Sequence, residues 1–499
     1  MKFPVILIAV SILIHSIFFG YPKEVVFDEV HNGKYISAYS TGSYYFDVHP
    51  PLGRLLMHFF AKATGASATV NFVSIGNEIP MEIVLLRLIP LIAGILLPII
   101  IYFICLYLGM SKWSSFLVGL LVCFENSLIV QSRFILFDSI MLFFGFLSIL
   151  LYLIYVDLRK NSKRSIYWYY FILILSVVFS AGAFSIKWTG LAFPLLIIIL
   201  EIIMILKSNT SISGQSLTTE TENALVKVKR FMVKVKKFSG FFLFYAITGI
   251  VIYFIIFAIH FSYLAHSGTG DSFMSNRFQK TLVGNRYVNN SSIQAKGFWG
   301  KIIELNIEMY IANTKLTTKH DYSSAWYSWP VMLRPIFYWQ SSQDTTDKTN
   351  KNIINDGRRA YIYLLGNPFI YWLGTVSIIL LFLHFLYFLI YRKKIIIDEK
   401  IKNISTFILI GYLVNFIPFV FIGRVMFLYH YETALIFSII AVIFFIDSAL
   451  ILNRRKKIIA LSTLVGICFI TFIFFSPLTY GFRITDRQLL SRIWFSSWR

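Results

Sequence analysis

Cysteine is nearly missing: Cys105, Cys123 and Cys468 are the only three in 499 residues, each alone in an apolar stretch. That spacing excludes a disulfide framework and a thiolate metal centre. There is no HExxH, and the nine histidines are scattered, so a zinc site is not expected. Charge is also scarce, at 14% of residues, where a soluble domain carries about a quarter. Neither a Walker loop nor a GxGxxG opening an α/β unit occurs, so an activated donor would not be held by a nucleotide fold of this chain. No internal repeat relates two halves, which speaks against a transporter built on related repeats.

What the chain has instead is apolar length. It is 57% hydrophobic and 18% aromatic, in runs of about twenty, the number a helix needs to cross a hydrocarbon core of ~30 Å. An all-α polytopic membrane protein is expected, since a membrane barrel would show short alternating strands. Eleven spans are read, near 3–20, 83–108, 114–130, 134–156, 167–183, 188–206, 241–263, 368–391, 403–423, 427–451 and 458–476. The first resembles a signal peptide, but it runs long and lacks a small-residue cleavage site, so it is taken as a membrane helix.

The formal net charge of +22 does not point to nucleic acid, because the basic clusters RKNSKR (159–164), KVKRFMVKVKK (227–237), YRKK (391–394) and NRRKK (453–457) fall between spans. With the N-terminus inside, all of them lie on the cytoplasmic side, as the positive-inside bias requires. Two large loops then lie on the other side, roughly 21–82 and 264–367. The chain divides into an N-terminal membrane module (1–263), the second outer loop (264–367) and C-terminal helices with a short outer tail (368–499). In the connection 207–240 a polar Ser/Thr part precedes VKVKRFMVKVKK, which reads as a surface-lying flank of the next helix.

A charge inside a span costs about 2.5–3.5 kcal/mol on insertion scales, so each is a functional candidate. Arg133 and Asp138 lie in SRFILFDSIML, Lys187 in FSIKWTG, and Arg424, His430 and Glu432 in GRVMFLYHYETAL. Asp28 and Glu29 follow the first span, and FDVHPPLGRLL adds Asp47 and His49. Each also has a plainer role open to it. Arg133 could snorkel or pair with Asp138, Lys187 could anchor an interface beside Trp188, His430 could pack between tyrosines, and the acidic pair could be a solvated loop start. Neighbouring helical residues point ~100° apart, so Asp28 and Glu29 are not expected to aim at one atom. Asp28, Glu29, His31, Asp47 and His49 leave a divalent-cation site possible but not predicted.

Seven ordered blocks carry a likeness: FDEVHNGKYISAYSTGSYYFDVHPPLGRLL, SRFILFDSIMLFF, FSIKWTGLAF, SWPVMLRPIFYW, LLGNPFIYWLG, RVMFLYHYETALIF and FSPLTYG. Together they resemble the protein O-mannosyltransferases, membrane glycosyltransferases of the GT-C class. The resemblance implies a GT-C fold and inverting transfer of mannose from a polyprenyl (dolichyl-type) phosphate mannose to Ser/Thr hydroxyls of exported proteins. It implies an acidic catalytic pair at Asp28 and Glu29, with Asp28 as general base. Arg133, Lys187 and Arg424 become candidates for the donor phosphate, and Asp47, His49, Asp138 and His430 supporting residues. No cofactor or metal is required. Expected partners are the lipid-linked donor, an exported protein or peptide acceptor and the membrane, with no nucleic acid; oligomeric state stays open. The second loop is too short for the MIR module of eukaryotic members, which implies a prokaryotic-type member of the plasma membrane with its site on the outer face. A GT-C enzyme with another lipid-linked sugar, or with a lipid or cell-wall acceptor, is the alternative, ahead of a transporter.

Overall fold

The computed structural model describes residues 2–66, 72–160, 166–208, 224–318, 320–341, 357–390, 398–449 and 453–499. Residues 161–164 and 391–394 of the basic clusters, and 209–223 of the Ser/Thr-rich connection, lie outside them.

Among the described residues, nine helices are long and apolar enough to cross a membrane: Met81–Tyr107, Asp138–Lys160, Ile166–Ile186, Trp188–Lys207, Val228–Tyr263, Pro368–Tyr387, Glu399–Phe421, Leu428–Ser448 and Arg454–Tyr480. A tenth candidate is a pair, Lys112–Cys123 and Asn126–Arg133, bent by 59°. The bend follows from local chemistry: Glu125 accepts the Ser127 N–H and hydroxyl, both at 3.0 Å, so its side chain starts a new helix inside the run. The first helix, Lys2–Ser16, is apolar but only 15 residues long. Each expected span therefore has a helical counterpart, nine of them of full spanning length.

The helix Glu432–Ser448 is the centre of the bundle. Every residue from Glu432 to Phe444 is buried, so its sequence is apolar all round rather than on one stripe. Small residues let neighbours approach it: a Cβ on Gly374 would stand 2.5 Å from Ser438 Oγ. The helix Ala224–Tyr263 is at the other extreme, peripheral and 40 residues long. It absorbs the basic stretch expected to lie along the surface, as a helical continuation of the span.

One end of the bundle carries the two large loops. The first contains helices Glu29–Thr41 and Leu52–Thr64, the second Phe298–Lys315. They share a core of Tyr39, Tyr44, Phe46 and Leu55 with Phe257, Phe278 and Leu305. A small sheet also forms there, a departure from an all-helical reading. Strands β1 (Ile336–Gln340), β2 (Arg358–Leu364) and β3 (Arg483–Thr485) are antiparallel in that order. The sheet joins the second loop to the C-terminal tail, and Trp339 Nε1 donates to Glu24 at 2.7 Å to tie it to the first loop.

Candidate active site

Asp28 and Glu29 have opposite fates. Glu29 is fully buried, and its two oxygens accept from Arg87 Nε at 2.8 Å, Arg87 Nη2 at 2.7 Å, the Ile135 N–H at 2.8 Å and the Val26 N–H at 2.9 Å. Arg87 spends its remaining donors on the carbonyls of Gly20, Pro22 and Glu24. This bidentate pair fastens the start of the first loop to the span Met81–Tyr107. Glu29, the second acid of the expected pair, is thus fully committed inside the protein.

Asp28 is the N-cap of helix Glu29–Thr41, yet its side chain does not cap the helix. It makes no hydrogen bond among the described residues. The preceding Phe27 holds φ +42, a left-handed backbone that costs an aromatic residue on the order of 1–3 kcal/mol. Its ring stacks on Tyr338 at 4.3 Å. The strain and the stack together fix where Asp28 points. Burial lifts its carboxyl above the ordinary aspartate range; Lys187 and His31 pull it back, and the charge of Asp138 adds to the rise.

Lys187 donates to both oxygens of Asp138 at 2.7 Å and stands 5.0 Å over the Tyr429 ring. Asp138 therefore pairs with Lys187, not with Arg133. An ammonium has three donors, so one remains for another anion. Arg424 is also half-buried: it bonds Asn313 Oδ1 through Nη1 and reaches His430 Nε2 through Nη2 at 3.2 Å. Because guanidinium only donates, Nε2 of His430 accepts, and Nδ1–H donates to the Phe427 carbonyl at 3.0 Å. Burial holds Arg424 below the usual arginine range. His49 faces the same cations. Burial, then the charges of Lys187, Arg54, Arg424 and His430, keep it neutral far below the ordinary histidine range. Asp47 pairs with Arg54 at 2.5 Å. Burial raises its carboxyl, and Arg54 opposes the rise first.

Of the residues expected at the site, Asp28, Asp138, Lys187, Arg424, His430, Asp47 and His49 lie at the loop-bearing end of the bundle. Arg133 stands apart from them. It is 3% exposed, donates to the carbonyls of Ile17 and Phe18 at 2.5 and 2.9 Å, and stacks over Tyr480. Its guanidinium closes the exposed carbonyl end of the first helix, as a cation does there, while Nε has no partner among the described residues. Arg87, Arg54 and Asn313 were missed. Arg87 had a signal, a charge in the apolar run EIVLLRLIPLI. Asn313 had none. Glu432 is 1% exposed, and neither of its oxygens has a hydrogen-bond partner among the described residues; the same holds for the Tyr338 hydroxyl.

Beside this group opens an apolar cavity of about 410 Å³, lined by Trp188, Tyr253, Phe254, Ile302, Asn306 and Tyr310. Its lining residue Trp188 follows Lys187 in the chain. An apolar cavity of this kind suits a greasy ligand tail.

Residues 5–265 match the family model described as dolichyl-phosphate-mannose-protein mannosyltransferase, and residues 298–498 match the C-terminal four TMM region of protein-O-mannosyltransferase. The chain is 30% identical to protein O-mannosyltransferase 1 of Drosophila melanogaster over 265 residues, 53% of this chain and 28% of the relative. It is 31% identical to protein O-mannosyl-transferase 1 of Danio rerio over 267 residues, 53% of this chain and 34% of that one. The chain spans about a third of the length of the curated relatives it matches. Its fold is similar to the S. cerevisiae protein O-mannosyltransferase Pmt1-Pmt2 complex bound to the sugar donor, with TM-score 0.85 at 20% identity over 100% of this chain and 92% of that one. The Archaeoglobus fulgidus oligosaccharyltransferase in the apo form has TM-score 0.51 at 12% identity, covering 99% of this chain and 57% of its own. The architecture is that of the GT-C membrane glycosyltransferases.

Proposed function

The chain belongs to the protein O-mannosyltransferase family, and from that premise we propose that it transfers mannose from a polyprenyl-phosphate mannose to Ser or Thr hydroxyls of exported proteins. The observation that carries the reading is the Asp28 carboxylate, which makes no side-chain cap and feels the charge of Lys187. The acceptor oxygen attacks the anomeric carbon as the bond from that carbon to the phosphate oxygen breaks. The acceptor proton passes to Asp28, and polyprenyl phosphate departs, so one displacement inverts the centre. A base raised toward working pH takes the proton more readily than an ordinary aspartate.

Lys187 and Arg424 neutralise the departing phosphate, each retaining a donor beyond its internal partners. The prenyl tail lies in the groove beside Trp188. Glu29 acts at one remove, keeping the Asp28 turn in place through Arg87. Asp138 and His430 orient the two cations. His49 and the Asp47–Arg54 pair line the approach. The chain is an integral multi-pass membrane protein; the plasma membrane of a prokaryote, with the site outward, agrees with the basic span ends on the opposite face.

The test is transfer by the purified protein in vesicles, with polyprenyl-phosphate mannose and a Ser/Thr peptide. A mannosylated peptide of inverted anomeric configuration is expected. Movement of the lipid across the bilayer with no covalent product would replace this reading with transport.

A further inference from the structure

We propose that residues 228–237 form a docking surface for a bilayer rich in anionic lipid headgroups, at the end of the molecule away from the candidate site. The helix Ala224–Tyr263 has 40 residues, so at ~1.5 Å per residue it is about 60 Å long, twice a hydrocarbon core of ~30 Å. Its C-terminal end is fixed among the large loops. Tyr253 donates to Asn306 at 2.6 Å and accepts from Trp188 at 3.2 Å, and the Tyr39 hydroxyl lies 2.7 Å from His260. The surplus length therefore emerges on the opposite face. Lys234 marks the level: its Nζ donates at 2.7 Å to the Leu206 carbonyl, in the last turn of the neighbouring span.

This emerging segment has two faces. At ~100° per residue, Val228, Phe231, Met232 and Val235 fall within one arc, and Lys229, Arg230, Lys234, Lys236 and Lys237 occupy the remainder. The apolar arc is bare, with Phe231 65% exposed, Met232 63%, Val228 53% and Val235 44%. From residue 224 to 263 the helix contains no acidic residue. The occupant must be anionic above and apolar beneath. Continuity with a span holds the segment at the membrane surface, where headgroup phosphates overlie acyl chains, and this matches both faces at once. Bending the helix near Lys234 lays the arc into the interface. The inference is independent of the transfer reaction.

The test places a single environment-sensitive fluorophore on a Phe231→Cys variant of the full chain, the native thiols Cys105, Cys123 and Cys468 being buried. The labelled protein is reconstituted in phosphatidylcholine vesicles with and without phosphatidylglycerol. Emission is expected to shift to the blue only with the anionic lipid, and the shift to weaken in high salt and vanish in Lys229→Gln/Lys236→Gln/Lys237→Gln. A Met232→Cys label repeats the measurement if the first variant folds poorly. Emission equal in both vesicles, or a blue shift that the triple variant keeps, would overturn the proposal. So would a shift that follows protein density instead of lipid charge, which would assign the face to a second copy.

Discussion

Glu29 gives four donors their only carboxylate, so its loss and that of Arg87 are expected to act alike. Glu29→Ala or Arg87→Met leaves one buried charge without its partner, which costs about 3–5 kcal/mol. Both variants should show a large fall in melting temperature in detergent. Asp28 behaves in reverse. Its folded carboxyl lies above the ordinary value, so the ionised form is disfavoured in the fold, and this cost is present once the pH passes that raised value. Asp28→Asn removes the cost, and its melting temperature at neutral pH is expected to equal or exceed that of the parent. The same shift governs rate. With Asp28 as the proposed base, transfer needs the deprotonated carboxylate, so activity should decline on acidification at a higher pH than an ordinary aspartate would give. Lys187→Met removes the cation that holds the carboxyl down, and the acid limb of the pH–rate profile, measured on folded protein, should move upward. The sequence named both acids because two charges at the mouth of an apolar run are costly. The family likeness set Asp28 as the base, but what Glu29 holds was not legible, since it depends on Arg87, 58 positions away.

Among the elements, helix Phe298–Lys315 joins the parts. Asn313 donates to the Val48 carbonyl of the first loop at 2.8 Å and bonds Arg424 from the turn before the central helix. Asn313→Leu breaks both links without touching Asp28. Hydrogen exchange over 298–315 should rise, and apparent donor affinity should fall more than kcat. None of this was legible in sequence, because the loop reads as polar and irregular and its partners are remote. Strand β3 shows the same limit. Three residues of the tail pair with Arg358–Ala360, more than a hundred positions earlier, and no local pattern announces such a contact. Arg133 shows another limit. Its charge marks it in an apolar run, but the first helix ends near it and takes a bond from each Nη group, a contact no local pattern announces. The spans themselves were readable from hydropathy, since bilayer thickness fixes their length.

At the scale of the molecule, charge is separated along the bundle axis. The carboxylates Asp28, Asp138 and Glu432 gather with Lys187 at the loop-bearing end. The basic span ends, with Lys207 bound to Glu399 and Lys457 to the Asp447 carbonyl, face the other way. A wholly buried helix between them, Glu432 to Phe444, holds the site against a rigid centre. The account rests on Asp28 as the group that takes the acceptor's proton, and the most direct measurement is a comparison of initial transfer rates. Purified parent and Asp28→Asn, in the same vesicles, are each given polyprenyl-phosphate mannose and a Ser/Thr peptide. A fall of about 10²–10⁴-fold in a variant that melts no lower than the parent is the expected result. A variant that transfers mannose at the parental rate would contradict it.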